Sequence, residues 1–150
     1  MAFYSSWHKV GLPYIDQQFW VNANSNFLDI ALLEWCKLYT DERGKHYFAK
    51  VVTDSAGFKM ELLAELAITD ISFNECAQQV RTYRDKFVAH LDEINEAQIP
   101  ELTIVKESTI FLYEYLIIQE AGHDTFHDAP KSSKRFYNDF IAQGEAVYAK

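Results

Sequence analysis

Apolar positions recur at three- and four-residue intervals along this chain of 150 residues, the spacing of helical stripes. The clearest stripe runs from Ser72 to Ile94. With Phe87 as reference and about 100° per residue, Phe73, Cys76, Ala77, Val80, Phe87, Leu91 and Ile94 share a sector roughly 100° wide. That is the core-facing side of one amphipathic helix, with Phe87 at its middle. Arg84 falls inside the sector, about 60° from Phe87, and His90 falls on its edge, about 120° round from Arg84. A guanidinium in a packing face has to meet a partner or look into a polar seam, because an unpaired buried charge is very expensive. A cation and an imidazole placed in this way point to chemistry more than to stability.

The other elements follow from the same pattern. Met1 to Pro13 reads as an irregular arm carrying Phe3, Tyr4 and Trp7, expected to pack back on the body or on a second subunit. A first long helix spans about Ile15 to Tyr39, and its second half, Phe27 to Leu38, is apolar nearly all round. Such a helix is central or is buried on two faces. The Asp41-Glu42-Arg43-Gly44 break ends it, and a short helix, His46 to Val52, follows. Asp54 or Ser55 caps the next helix, Gly57 to Ile68, which buries Phe58, Leu62, Leu63 and Leu66. Ser72-Phe73-Asn74-Glu75 has the form of a capping box and is expected to open the central helix.

Asn95 to Gln98 is a connector, and Pro100 suits the first turn of a helix running to about Ala121. Gly122 to Lys131 is the longest loop, and Ser132 or Ser133 starts a last helix striped with Phe136, Tyr137, Phe140, Ile141, Val147 and Tyr148. The predicted fold is all-α: a single domain, built as a bundle of four main helices with short ones between. Glycine and proline, at five and three residues, leave little turn chemistry for a many-stranded alternative.

Composition narrows the partners. Hydrophobic residues make up 49% and aromatics 15%, which argues against disorder. Fourteen basic residues against 22 acidic ones give a net charge of −8, unlike a non-specific nucleic-acid binder. Any phosphate contact therefore has to come from a local patch. Cys36 and Cys76 sit inside apolar helical patterns with no Cys-x-x-Cys spacing, so buried free thiols in a reducing compartment are expected. Trp7, His8 and Lys9 break the only early apolar residues, and no apolar run is long enough for a membrane span. The expectation is a cytoplasmic protein with no membrane partner.

Arg84-Asp85, four residues, then His90 resembles the signature of the HEPN superfamily, an Arg followed by Asn, Asp or His and then a His a few residues on. "RDKFVAHLD" on a late helix of a bundle, with Trp35-Cys36-Lys37-Leu38-Tyr39 and Ile99-Pro100-Glu101-Leu102, is similar to the abortive-infection subgroup, and these landmarks cover most of the chain. The resemblance implies a metal-independent endoribonuclease or a degenerate relative, working as a toxin or phage-defence effector. It also implies a homodimer whose two motifs face one cleft. Some members carry a Tyr two residues after the His, where a partner nucleotidyltransferase modifies it; here that position is Asp92.

The residue chemistry is compatible with that implication. Cleaving RNA without a metal needs a proton carrier active near neutral pH, which a His supplies, and a cation for the charge that builds on the phosphate. An Arg supplies that cation with planar geometry suited to phosphate oxygens. The expected roles are proton transfer for His90, phosphate contact for Arg84, orientation for Asp85 and strand guidance for Arg81 and Lys86. On an ideal helix Asp85 points away from both Arg84 and His90. RNA, a second copy and an antitoxin protein are the expected partners, and no cofactor is expected.

Glu120, His123, Asp124, His127 and Asp128 could build a metal site, but Gly122 interrupts the helix and a second Glu-x-x-His is missing, so none is expected. Lys131, Lys134 and Arg135 form a small basic cluster, either a solvated face or a phosphate-steering patch. The reading that competes with the ribonuclease is a non-catalytic helical module, an antitoxin-like partner or nucleotide sensor that keeps the fold.

Overall fold

A computed structural model describes residues 18–88, 99–120, 130 and 132–148. Every regular element among them is helical. The order is α1 (Gln18–Tyr39), α2 (Phe48–Val51), α3 (Ser55–Glu65), α4 (Asp70–Tyr83) with a π-helical continuation (Arg84–Val88), α5 (Leu102–Gln119) and α6 (Ser133–Tyr148). The protein is all-α, and no helix among the described residues is long and apolar enough to cross a membrane. The expected arm, Met1 to Pro13, lies outside the described residues.

The chain divides into two compact units, Leu32–Ala129 and a smaller one made of Met1–Ala31 with Pro130–Lys150. The larger unit is held by a run of aromatic rings. Trp35 meets Tyr39 at 5.1 Å and Phe73 at 6.1 Å between ring centroids. Tyr39 meets Phe48, Phe48 meets Phe58, and Phe58 closes on Phe111 and Tyr115 of α5. Such offset and edge-on pairs contribute beyond the apolar area they bury. Two polar groups run through this core. The Trp35 Nε1–H donates to Ser108 Oγ at 2.9 Å, and the Tyr39 hydroxyl donates to the Ser108 carbonyl at 2.6 Å. Burial drives the Tyr39 phenol pKa well above its ordinary value. Buried polar atoms need such partners, and these bonds fix α1 against α5.

In the smaller unit, Leu28 and Asn24 of α1 and Ser133 of α6 are buried. The stripe on α6 is not. Phe136, Phe140 and Val147 are 39%, 51% and 45% exposed, although Phe136 and Phe140 stack edge-on at 4.7 Å. On α1, Phe27 and Ile30 are likewise exposed, so its apolar second half is not covered on every side.

Several helix ends lie where the sequence places them. The Asp54 carboxylate caps α3 by accepting from the Gly57 N–H at 2.9 Å, and a Cβ at position 57 would run into that carboxylate. Ser132 Oγ accepts from the Arg135 N–H at 3.2 Å and opens α6. Pro100, expected in the first turn of α5, instead lies two residues before that helix, whose cap is Glu101, accepting from the Thr103 N–H at 3.1 Å.

The opening of the central helix is different. The cap is Thr69, accepting from the Ser72 N–H at 3.1 Å, and Ser72 lies inside the first turn. The reason lies just upstream. α3 ends in a Schellman turn, with the Ile68 N–H on the Leu63 carbonyl and the Ala67 N–H on the Ala64 carbonyl. Ala67 takes a left-handed φ of 52° there, which sends Thr69 out extended, ready to cap. Alanine at such a position carries strain that glycine does not. Ala67→Gly is therefore expected to stabilise the protein by about 0.5–1 kcal/mol, read as a higher urea midpoint with unchanged slope.

The central helix is also not one uninterrupted α-helix. Phe73, Cys76 and Val80 of the expected stripe are buried, and Tyr83 joins them. From Arg84 the backbone bonds widen to a π-helix through Val88. Residues 89–98, which include the expected end at Ile94, lie outside the described residues.

Candidate functional site

The π-helical turn carries the Arg84-Asp85-Lys86 stretch, and single turns of this kind occur frequently at functional sites. On this turn Asp85 does not point away from Arg84. Its Oδ1 accepts from Arg84 Nε at 2.8 Å and from Nη2 at 2.7 Å. This corrects the ideal-helix expectation. The Arg84 side chain is 27% exposed and that of Asp85 53%, so the guanidinium is not sunk in a packing face. A pair this open contributes little stability and chiefly fixes the orientation of the guanidinium.

Arg81 lies one turn back and has a defined structural partner. Its Nη2 donates to the Thr40 carbonyl at 2.6 Å, just past the end of α1. A cation there meets the negative end of the helix and satisfies one of its last carbonyls. Cys36, four residues before Thr40, is buried, and burial raises its thiol pKa. The Thr40 hydrogen bond and the charges of Arg84 and Arg81 pull the other way, while Asp85 adds to the rise. Two guanidiniums and one carboxylate thus act electrostatically on the end of α1. Sequence reasoning missed the Thr40 carbonyl as a partner, because a backbone acceptor leaves no residue signature.

Lys86 is exposed. His90 lies outside the described residues, and so does the side chain of Phe87. Of the acidic and histidine cluster, Glu120 accepts from the Thr53 N–H at 2.7 Å and from the Thr53 hydroxyl at 2.8 Å, tying the end of α5 to the turn before α3. His123, Asp124, His127, Asp128 and Lys131 fall outside the described residues. Among those that are described, no three His, Cys, Asp or Glu side chains come together to hold a metal ion. Lys134 and Arg135 are exposed on the first turn of α6, with Arg135 3.8 Å from Asp139.

A groove of about 700 Å³ lies between α3 and α5, and Arg81, Arg84 and Asp85 do not line it. Among the described residues, the charged side chains that line it are all glutamates. Compared with known proteins, the chain matches no family model, no curated protein and no solved structure.

Proposed function

We propose that the protein is a metal-independent endoribonuclease of the HEPN type, acting in the cytoplasm as a toxin or phage-defence effector. The observation that supports this most is the π-helical turn at the motif, where Asp85 orients a partly exposed Arg84 guanidinium. Two of its five N–H donors are on Asp85, and a phosphate would take others, forming charge-assisted bonds that strengthen as negative charge builds in the transition state.

In the proposed reaction the RNA 2′-hydroxyl attacks the adjacent phosphorus. Neutral His90 accepts the hydroxyl proton, the bond from phosphorus to the 5′-oxygen breaks, and the imidazolium returns the proton to that oxygen. The products are a 2′,3′-cyclic phosphate and a free 5′-hydroxyl. Arg81 and Lys86 guide the strand, with Arg81 leaving or sharing its Thr40 contact.

The reading includes a homodimer, because six residues along an ideal helix separate Arg84 from His90 by about 9 Å in rise. A second motif across a two-fold axis brings both groups onto one phosphate. Exposed Phe27, Ile30, Phe136 and Phe140 offer apolar surface for that pairing.

The test is incubation of the purified protein with RNA in excess chelator, with product ends identified and the same preparation sedimented at micromolar concentration. Cutting is expected, with a loss of about 10²–10⁴-fold in His90→Ala and a comparable loss in Arg84→Ala. Chelator-sensitive cutting, cutting that survives His90→Ala, or a strict monomer of 17.4 kDa refutes the proposal. No cutting of any RNA leaves the second reading, a non-catalytic interaction module. The glutamate-lined groove favours that reading, since such a surface repels a phosphate backbone.

A further inference from the structure

The groove between α3 and α5 has the form of a helix-binding trough. On α5 its lining positions run from Thr103 to Gln119 at three- and four-residue steps, so one face of an 18-residue helix forms its whole wall. At 1.5 Å per residue that wall is about 27 Å long, far longer than a compact small molecule fills. Ile104, Ile110, Phe111 and Ile118 give it an apolar floor, and Ile118 is 70% exposed. Phe111 and Tyr115 are braced from behind by Phe58, so the floor is preformed.

The rim is acidic throughout. Glu61 and Glu65 stand on the α3 side, and Glu101, Glu107 and Glu114 along α5. Among the described residues no lysine, arginine or histidine lines the groove, although Lys106 lies 2.8 Å from Glu107. Glu101 is also the cap of α5, and its bonds to Thr103 hold its pKa below the usual carboxylate range. The Tyr115 phenol feels the same field. Burial raises its pKa first, followed by the charges of Glu61, Asp54 and Glu120.

We infer that this groove docks a basic amphipathic helix of a partner protein, with apolar residues at i, i+3, i+4 and i+7 on the floor and Lys or Arg against the glutamates. This is helix-in-groove recognition with charge complementarity setting the partner. The inference does not depend on the ribonuclease reading. A second copy pairing groove to groove across a two-fold axis would set the same glutamates against each other, so it is a poor occupant. RNA is repelled by the same charges.

The probe is a labelled 18-residue Lys/Leu peptide with leucines at that helical spacing. Controls are a scrambled peptide of equal composition and a Glu/Leu peptide of equal pattern, all titrated against the full chain by fluorescence anisotropy. The patterned Lys/Leu peptide should bind, and the two controls should bind at least about tenfold more weakly. Glu61→Lys/Glu65→Lys and, separately, Ile118→Ser should each weaken binding by about tenfold or more, with circular dichroism unchanged. Glu42→Lys/Glu75→Lys, which has the same net charge away from the groove, should leave binding unchanged. Equal binding of the scrambled peptide, or equal losses in both charge-reversal variants, would overturn the inference as mere attraction to an acidic protein. Absence of binding also overturns it. If Glu61→Lys/Glu65→Lys instead changes the sedimentation of the protein alone, the occupant is a second copy and the inference is wrong.

Discussion

Phe58→Ala is expected to cost about 3–5 kcal/mol of stability, the range for deleting a fully buried aromatic ring. Phe58 is fully buried on α3, and its ring lies 5.2 Å from that of Phe48, 5.4 Å from Phe111 and 4.9 Å from Tyr115. These three rings come from two other helices, α2 and α5, so no single side-chain movement fills the space left behind. The loss is the transfer free energy of the ring plus a cavity term that rigid surroundings keep large. The melting temperature should fall by roughly 2–4 °C for each kcal/mol lost in a protein of this size. Denaturant unfolding of the two proteins side by side checks this, and a loss below about 1 kcal/mol would mean the aromatic run is not the core. By the stripe of the central helix, Phe87→Ala is likewise expected to cost about 3–5 kcal/mol, though the side chain of Phe87 lies outside the described residues.

The second large effect is at Ser108. Ser108 is fully buried, accepts from the Trp35 indole N–H at 2.9 Å and donates to the Val105 carbonyl at 3.2 Å. Ser108→Ala removes only one oxygen yet strands the indole donor in a dry core, which costs about 1–3 kcal/mol. Trp35→Phe removes the donor at the expense of packing. Because the stranded donor is then gone, the double variant should lose less than the sum of the single losses, by about 1 kcal/mol. Strict additivity in the double-mutant cycle would show that the bond contributes nothing. The Tyr39 hydroxyl stays bonded in all these variants, since its acceptor is the backbone carbonyl of residue 108.

What the sequence discloses and what it hides divide along physical lines. Helix class, the end of α1 at Tyr39, the Asp54 cap and the Ser132 cap are local features, set by side chains reaching their own backbone a few residues away. The sequence points to Ser72 as the cap of the central helix, three residues after the observed Thr69. Thr69 and Ser72 both satisfy the capping rule, and the left-handed Ala67 that selects Thr69 is an ordinary helix-forming residue in the sequence. The π-helical turn has no signature either, because the same residues serve α and π ladders equally well.

At the candidate site, Arg84 and Asp85 are legible as a pair of residue types but not as partners, since the ideal wheel separates them. Arg81 looks like a strand guide until the Thr40 carbonyl, 41 residues away, supplies its contact. The acidic groove is invisible for a related reason. Its glutamates lie on two helices, and neither helical wheel alone shows the rim that they make together. The exposed stripe of α6 is the opposite case, where periodicity names an apolar face correctly but cannot say whether anything covers it.

The bonds that join α1 and the turn before α3 to α5 also say when this core can assemble. Trp35 and Ser108 are 73 residues apart in sequence, Tyr39 and Ser108 are 69 apart, and Thr53 and Glu120 are 67 apart. α3 and α4 lie wholly within each of these spans. Closing such a loop costs entropy before any contact across it is repaid. Local helical turns form within about a microsecond, whereas this closure waits on a search over nearly half the chain. The return of α5 to α1 is therefore the slow closure, and a chain emerging from the ribosome leaves the Trp35 indole N–H and the Tyr39 hydroxyl without their core acceptors until residue 108 has been made.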